Sequence, residues 1–322
     1  MQPTFSLESP YGGPEAQSTA DWFKGDLHIH TVFSDGLYEP HQIKDFYKAY
    51  AYQFLAFSDH PNGGTVYHFD VDDDDFVTIP AYEFAADPLR VHINCIGAAV
   101  GPEGIHPAGP DMQGAVDRVN KQGGFAFFCH PFVYDYPNPA YVLTGLSGLE
   151  IINTGAISYR AGQDDAVRRG TALDLWDELL TKGQRLWGFV NSDFHWFCNE
   201  EPCVAFNMVD APSLRATDLL QSLNAGRFYA STGLRLREIL VEETSITVEC
   251  EQAACIRFIG AGGNTLKESC GHRATYGVQG DEIYVRVECT DERRAFTTKP
   301  QLDFFHQTAF LQPTFVIPTR SS

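Results

Sequence analysis

The chain has 322 residues, of which 43% are hydrophobic and 20% are charged, a composition typical of a globular protein with a substantial buried core. Its 42 acidic and 23 basic residues give a formal net charge of −19. That charge disfavours long nucleic acids and anionic membranes, both of which bind proteins largely through Lys and Arg. The sequence has no apolar run near the ~20 residues that span a bilayer and shows no signal-peptide pattern. We therefore expect a cytoplasmic protein that acts on a small molecule.

The cysteines also favour a reducing compartment. None of the pairs has the Cys-x-x-Cys spacing of a zinc ribbon, and the chain is long for a fold held together by disulfides. We expect buried free thiols at positions 95, 129, 198, 203, 250, 255, 270 and 289.

Short apolar runs alternate with amphipathic stretches in the first two thirds of the chain. The predicted strands are Gly25–His30, Phe54–Ser58, Phe76–Pro80, His92–Ala98, Gly124–Cys129, Gly148–Asn153 and Leu186–Asn191. The predicted helices are Pro40–Tyr50, Asp111–Gln122, Asp164–Thr181 and Ser213–Asn224. Such alternation predicts an α/β domain with a parallel sheet, either open or closed into a barrel.

The pattern changes after about residue 235, where apolar and polar residues alternate and helical periodicity is lost. We predict an N-terminal extension over 1–21, the main α/β domain over 22–235 and a small antiparallel β domain over 236–295. The aromatic-rich tail, 296–322, is expected to pack back on the main domain.

Imidazole and carboxylate groups recur at the ends of the predicted strands. His28 and His30 leave the same face of the first strand because side chains alternate along a strand, and Asp193 and His195 are related in the same way. Because the carboxyl ends of parallel strands meet at one edge, we expect these groups to converge. The nine candidate ligands are His28, His30, Asp35, His60, Glu83, His92, His130, Asp193 and His195.

Six imidazoles and three carboxylates exceed what one metal ion can use. Nitrogen and oxygen ligands without thiolate suit zinc, manganese or iron, and a shared carboxylate allows two to three divalent ions. The alternative is a set of buried, hydrogen-bonded histidines without metal.

The motifs around these residues resemble those of the PHP (polymerase and histidinol phosphatase) family of metal-dependent phosphoesterases. The stretch from Gly25 to Gly36 (GDLHIHTVFSDG) is similar to the first motif of that family. Later motifs match in order at Ser58-Asp59-His60, Glu83, His92, Cys129-His130-Pro131 and Ser192-Asp193-Phe194-His195. The resemblance covers residues 22–235 and implies a distorted (βα)7 barrel, the PHP fold, with a two- or three-metal centre.

The resemblance also implies how the ligands divide. The first metal would be held by His28, His30, Glu83 and Asp193. The second would be held by His92, His130 and the bridging Glu83. The third would be held by Asp35, His60 and His195. Glu83, Asp193 and His195 would in addition act in catalysis.

The implied function is hydrolysis of a small phosphate ester through a metal-bridging hydroxide. The segment Arg227–Gly233 resembles the carbaryl-hydrolase-like (CehA/McbA-like) branch of the family, so a carbamate or carboxylic ester hydrolase on the same metals is the alternative. A third hypothesis is a non-catalytic, metal-stabilised scaffold. An amidohydrolase barrel also begins with His-x-His, but it usually has a bridging Lys, and none of the predicted strands places one suitably.

Arg160 is a further candidate catalytic residue. It lies in the predicted loop Thr154–Gly162, after the strand that ends at Asn153, and thus on the side expected to carry the metals. A guanidinium group matches two phosphate oxygens at once. The alternative is a surface ion pair with Asp164 or Asp165.

Overall fold

The structure, a computed structural model, describes residues 4–12, 21–61, 68–86, 91–98, 112–132, 143–196, 204–302 and 305–319. Within these ranges the chain is a mixed α/β protein with three β-sheets and few helices. None of the helices in the described ranges combines the length and apolar composition that a membrane crossing requires.

The secondary-structure elements are numbered in chain order. The strands are β1 (Phe5–Glu8), β2 (Asp21–Ile29), β3 (Phe54–Phe57), β4 (Val77–Thr78), β5 (Ala81–Ala86), β6 (Val91–Ile96), β7 (Phe125–Phe128), β8 (Gly148–Asn153), β9 (Trp187–Asn191), β10 (Phe206–Ala211), β11 (Phe228–Ser231), β12 (Glu238–Val241), β13 (Ser245–Glu249), β14 (Cys255–Gly260), β15 (Asn264–Cys270), β16 (Arg273–Gly277), β17 (Tyr284–Arg294), β18 (His306–Leu311) and β19 (Thr314–Pro318). The helices are α1 (Pro40–Ala49), α2 (Met112–Lys121), α3 (Thr154–Tyr159), α4 (Ala166–Gly170), α5 (Leu173–Thr181) and α6 (Ala216–Asn224).

The largest sheet has the order β1-β19-β17-β18-β11-β10-β2-β3-β4, and β14 joins it through β17 and carries β15 at its side. In this sheet β2, β3 and β4 are parallel, whereas β2 pairs antiparallel with β10. The second sheet has the order β5-β6-β7-β8-β9, and the third has the order β12-β13-β16. The C-terminal strands therefore continue the same sheet that contains β2.

The two larger sheets meet at the carboxyl ends of β2, β3 and β9. The backbone N–H of His30 donates to the carbonyl of Phe194 (2.8 Å), just beyond β9. On the other side, Ser58 N–H donates to Ile29 O (2.8 Å) and Glu83 N–H donates to Ser58 O (2.9 Å). These bonds fix the strand ends from both sheets side by side.

The predicted (βα)7 barrel is not confirmed, because the described strands form separate sheets and several neighbours are antiparallel. The stretch predicted as one strand at Phe76–Pro80 contains only the two-residue β4, and β5 begins at Ala81. Since only residues 87–90 separate β5 from β6, the pair must be antiparallel: a parallel crossover needs about a dozen residues or more. The parallel neighbours in the second sheet are β7, β8 and β9.

Two helical segments differ from the sequence prediction. The predicted helix Asp164–Thr181 is two helices, α4 and α5. At Gly170 the backbone packs directly against the Ile157 side chain, and Thr171 then forms an isolated β-bridge with Ile152, which separates the two helices. The predicted loop after β8 begins with the helix α3, which Asn153 caps by accepting the N–H of Ala156 (2.8 Å).

A buried ionic cluster joins the C-terminal strands to α5. The carboxylate of Asp177 accepts two bonds from the guanidinium of Arg286, both 2.7 Å, and a bond from the Tyr284 hydroxyl (2.6 Å). Arg286, on β17, also donates to Glu288 (2.6 Å). All four side chains are buried, so the charges of Asp177, Arg286 and Glu288 compensate each other in place of water.

We predict that Asp177→Ala lowers the free energy of unfolding by about 3 kcal/mol, because it leaves the Arg286 guanidinium incompletely compensated in the interior. The matched control is Glu178→Ala, on the same helix, which removes an exposed ion pair with Lys182 and should change stability by less than about 0.5 kcal/mol. Urea denaturation measures both. Equal effects would show that this cluster does not hold the C-terminal strands on α5.

Candidate metal centre

The nine candidate ligands all lie where the two larger sheets meet. His28 and His30 project from the end of β2 with 0% of each residue exposed. Glu83, on β5, is 1% exposed. The others come from strand ends or the turns that follow them: Asp35, His60, His92, His130, Asp193 and His195.

Glu83 is the centre of the arrangement. Its Oε1 lies 2.9 Å from the Nδ1 of His92, and its Oε2 lies 3.2 Å from the Nε2 of His30. Five of the six imidazoles have a ring nitrogen within 3.3 Å of this carboxylate: His28, His30, His60, His92 and His130. One buried carboxylate between so many ring nitrogens is a suitable bridging ligand for more than one cation.

Asp193 and Asp35 occupy the other two sides. Asp193 Oδ1 lies 3.1 Å from His28 Nε2 and 3.3 Å from His30 Nε2. Asp35 Oδ1 lies 3.2 Å from His30 Nδ1, and its Oδ2 lies 3.5 Å from His195 Nε2. His60 Nε2 is 4.0 Å from the same Asp35 oxygen. The candidate ligands therefore extend from the buried interior, at His28 and His30, to the protein surface, where the Asp35 side chain is 54% exposed.

Several overlapping triads have donor atoms within 4.8 Å of one another, close enough for one ion to reach all three. They are His28–His30–Asp193, His28–Glu83–His130, His30–Asp35–His195, His30–His60–Glu83 and His28–Cys129–Glu150. His30 belongs both to the group around Asp193 and to the group around Asp35. The last triad includes two residues, Cys129 and Glu150, that are not among the nine candidate ligands.

The donor atoms fit divalent cations. The Nε2 atoms of His28 and His30 are buried and have no hydrogen-bond partner, although carboxylate oxygens of Glu83 and Asp193 lie within 3.3 Å. A buried nitrogen without a partner is costly. A cation between the imidazoles and the carboxylates would use these lone pairs and compensate the negative charge.

Charge compensation shows in the directions of the pKa shifts. Burial disfavours protonation of His28, but the carboxylates of Asp193, Glu150 and Glu83 outweigh burial and raise its pKa well above the ordinary value. Burial likewise opposes ionisation of Glu83, yet His92, His28 and His60 hold the pKa of its carboxyl well below the ordinary value. The site thus favours anionic carboxylates with positive charge between them, which protons or metal ions can supply.

The backbone is constrained at two of the candidate ligands. His130 has φ of 29° and Asp193 has φ of 52°, in the left-handed region that residues other than glycine seldom adopt. Such conformations persist only where surrounding contacts hold them, and they concentrate at functional sites.

The sequence motifs contain Asp59 but do not reveal its role. Its carboxylate accepts bonds from the N–H (2.8 Å) and hydroxyl (2.7 Å) of Thr31 and from the hydroxyl of Ser34 (2.5 Å). It therefore fixes the turn that carries Asp35. Gly36 completes this turn, since a Cβ there would lie 2.4 Å from the carbonyl oxygen of His30.

A cleft of about 340 Å³ opens onto the candidate ligands. Its outer wall consists of α3 and the residue after His195: Gly155, Ala156, Tyr159, Arg160 and Trp196. Tyr159 and Trp196 meet edge to face, with ring centroids 6.3 Å apart.

Arg160 lines this cleft at the C-terminus of α3. Asp165, one of its two expected surface partners, pairs instead with Arg169 (2.8 Å) and Arg168 (3.7 Å). Among the described residues, Arg160 forms no ion pair, which leaves its guanidinium available to an anion in the cleft.

Comparisons with known proteins give structural matches only. No protein-family model matches the sequence, and neither does any curated protein. Among solved structures the chain is similar to PHP-like metal-dependent phosphoesterases, the family that its motifs resemble. A two-domain protein from Bacteroides vulgatus, which contains a predicted phosphoesterase of this kind, shares 16% identity at a TM-score of 0.49; the match covers 92% of this chain and 95% of that one.

Two further structures match shorter parts of the chain. A predicted metal-dependent phosphoesterase from Bifidobacterium adolescentis has 14% identity and a TM-score of 0.37, over 55% of this chain and 89% of that one. An amidohydrolase from Chromobacterium violaceum, solved with bound sulfate and without metal, has 17% identity and a TM-score of 0.39, over 63% of this chain and 96% of that one. At such low similarity, the activity of this chain has to be inferred from its own site.

We predict that the purified chain binds about two to three transition-metal ions, because nine nitrogen and oxygen donors converge where the sheets meet. Elemental analysis after supplementation with manganese or zinc measures the stoichiometry. Metal addition should also raise the melting temperature, since a ligand that binds only the folded state stabilises it. Less than one equivalent after supplementation would contradict the assignment.

We predict that Glu83→Gln lowers hydrolytic activity by at least about 100-fold, because a neutral amide cannot bridge cations as a carboxylate does. His306→Gln is the control, since His306 is exposed at the start of β18. The activity of this variant should match that of the wild type. Steady-state kinetics of both variants with p-nitrophenyl phosphate and with p-nitrophenyl acetate provide the measurement. A similar, mild loss in both would show that Glu83 has no central role.

Proposed function

We propose that this protein is a metal-dependent hydrolase of small phosphate esters. The observation that carries the proposal is the convergence of six imidazoles and three carboxylates where the two larger sheets meet. The buried Nε2 atoms of His28 and His30 lie 3.1–3.3 Å from carboxylate oxygens of Glu83 and Asp193 without forming aligned hydrogen bonds. A structural histidine cluster would instead bury nitrogens that are already paired with hydrogen-bond partners.

The proposed ligand groups follow the motif resemblance. His28, His30, Asp193 and Glu83 would hold the first ion, His92 and His130 would hold the second together with Glu83, and Asp35, His60 and His195 would hold the third. When bound, such ions supply Lewis acidity and make hydroxide available near neutral pH. We also propose that the fold is a distorted variant of the (βα)7 PHP barrel.

Two rim histidines are oriented by backbone carbonyls. His195 Nδ1 donates to the carbonyl of Asp193 (2.8 Å), and His60 Nδ1 donates to the carbonyl of Glu83 (3.2 Å). Because each Nδ1 carries the proton, the Nε2 lone pair of His195 faces Asp35, and that of His60 faces Glu83 and, farther away, Asp35. His195 borders the cleft and is positioned to ligate at the rim or to exchange a proton with the leaving group, whereas Asp193 and Glu83 hold negative charge below it.

The cleft wall favours a small anionic substrate. Arg160 presents a guanidinium group with no ion-pair partner among the described residues, and the space of about 340 Å³ suits a small ester rather than a polymer. The net charge of −19 would repel a long polyanion, while bound cations would attract a small anion locally.

We also propose a cytoplasmic location. In its support, the six cysteines within the described ranges are free thiols; four of them are buried, and Cys270 is exposed.

Parallel assays distinguish the substrate classes. The metal-loaded protein is tested with p-nitrophenyl phosphate and p-nitrophenyl acetate, each with and without a chelator. We expect chelator-sensitive hydrolysis of the phosphate ester. Hydrolysis confined to the acetate would favour the carbamate and carboxylic ester alternative, and no hydrolysis with a full metal complement would favour a scaffold.

We predict that Arg160→Ala lowers phosphate-ester turnover by about 10-fold to 100-fold, equivalent to roughly 1.4–2.7 kcal/mol, because it removes the guanidinium that meets the phosphate oxygens. Arg168→Ala is the matched control, since Arg168 is exposed on α4 and lies outside the cleft lining. Hydrolysis of an uncharged ester should barely change in either variant. Unchanged phosphate-ester kinetics in Arg160→Ala would remove Arg160 from the site.

A further inference from the structure

Glu150 lies directly beneath the candidate ligands, at the centre of β8, and is 1% exposed. Both carboxylate oxygens accept two hydrogen bonds. Oε1 accepts from His28 Nδ1 (2.7 Å) and from the side-chain amide of Asn191 (2.9 Å). Oε2 accepts from the backbone N–H of His130 (2.7 Å) and from the side-chain amide of Asn153 (3.0 Å).

These bonds reach three of the candidate ligands. The first orients the His28 ring, and the second holds His130 in its unusual positive-φ conformation. The third is indirect, because the same Asn153 amide that donates to Glu150 also donates to Asp193 Oδ2 (3.2 Å). A single buried carboxylate therefore connects groups that come from β2, from the end of β7 and from the end of β9.

We propose that Glu150 is a positioning residue that fixes the tautomer and orientation of His28 and the backbone at His130, and thereby sets the metal affinity of the centre. The inference rests on the proposed metal-dependent function. Since the carboxylate accepts the proton of His28 Nδ1, the lone pair of Nε2 points to the space between Glu83 and Asp193. An imidazole held in this way by a carboxylate is also a more basic ligand.

The donor geometry explains why a glutamine cannot replace Glu150. Four donors converge on two oxygens, but a carboxamide has only one oxygen and must turn its NH₂ group toward one pair of donors. If that NH₂ faces His28, Nδ1 must accept, so the proton moves to Nε2 and blocks ligation. If it faces His130, two N–H groups oppose each other and the backbone there must move.

The experiment compares Glu150→Gln with Glu288→Gln. Glu288 is a matched control because it is also buried and accepts bonds from two guanidinium groups, Arg257 and Arg286, both at 2.6 Å. Zinc affinity is measured by competition with a chromophoric chelator, and the melting temperature is measured in excess EDTA. We expect Glu150→Gln to bind zinc about 10-fold to 100-fold more weakly than the wild type, and Glu288→Gln to bind it normally.

Three results would be informative beyond the expected one. Wild-type zinc affinity in Glu150→Gln would overturn this inference alone, provided the wild-type chain binds zinc and hydrolyses its substrate. A zinc affinity reduced equally in both variants would also overturn it, because the loss would then reflect a general effect of burying an amide. A wild-type chain that binds no zinc would overturn the proposed function and this inference together.

A second variant covers the case in which Glu150→Gln does not fold. Glu150→Asp keeps the charge but withdraws the carboxylate by one methylene from His28, so zinc binding should again weaken while the protein without metal stays folded. In zinc-loaded protein labelled with ¹⁵N-histidine, the wild-type His28 should show a protonated Nδ1, and His28→Gln identifies its signal. A protonated Nε2 in the wild type would contradict the proposed orientation.

Discussion

The structure depends on one electrostatic constraint: three carboxylates and six imidazoles share a single, largely buried volume. Carboxylates in such a place are unfavourable unless positive charge lies between them. The directions of the pKa shifts agree with this constraint: the pKa values of Glu83 and Asp193 are lowered and those of His28 and His30 are raised. Divalent cations satisfy the same requirement and also use the unpartnered ring nitrogens, so the electrostatics and the metal-binding chemistry lead to the same conclusion.

The fold meets this constraint by bringing two sheets together at one edge. Hydrogen bonds from His30 to the chain beyond β9, and from Glu83 to the end of β3, join the sheets where the ligands lie. Asp59 and Glu150 then support the ligands from below, through the turn at Thr31 and through His28 respectively. The ligand positions are therefore set by backbone bonds and by carboxylates that do not themselves face the cleft.

Much of this site could be predicted from the sequence because strand-end positions depend on local patterns. The alternation of side chains along a strand puts His28 and His30 on the same face. A buried apolar run such as Phe125–Phe128 marks a strand, so His130 is expected just beyond its end. The division of the ligands among particular ions remains a prediction. The strand topology was harder to predict from the sequence, because whether β5 and β6 are parallel depends on where a short strand such as β4 ends.

Other features could not be found from one sequence. Glu150 looks like an ordinary polar residue within an apolar strand, and its role depends on donors from β2, β7 and β9 that lie far away along the chain. The helix α3 is short and starts inside a stretch rich in small residues, so its Asn153 cap is evident only from the structure. The sequence places Arg160 after a strand, but only the structure shows that Asp165 pairs with Arg168 and Arg169 and not with Arg160.

The most direct test of a metal centre is anomalous X-ray diffraction from crystals soaked separately in manganese and zinc. The account predicts strong anomalous peaks between Glu83 and the ring nitrogens, with zinc–nitrogen distances of about 2.0–2.1 Å to His28 and His30. We also predict that Nε2 of His28, and not its Nδ1, faces the ion. Crystals that show no peak there, with imidazolium and carboxylate groups bonded directly to each other, would contradict it.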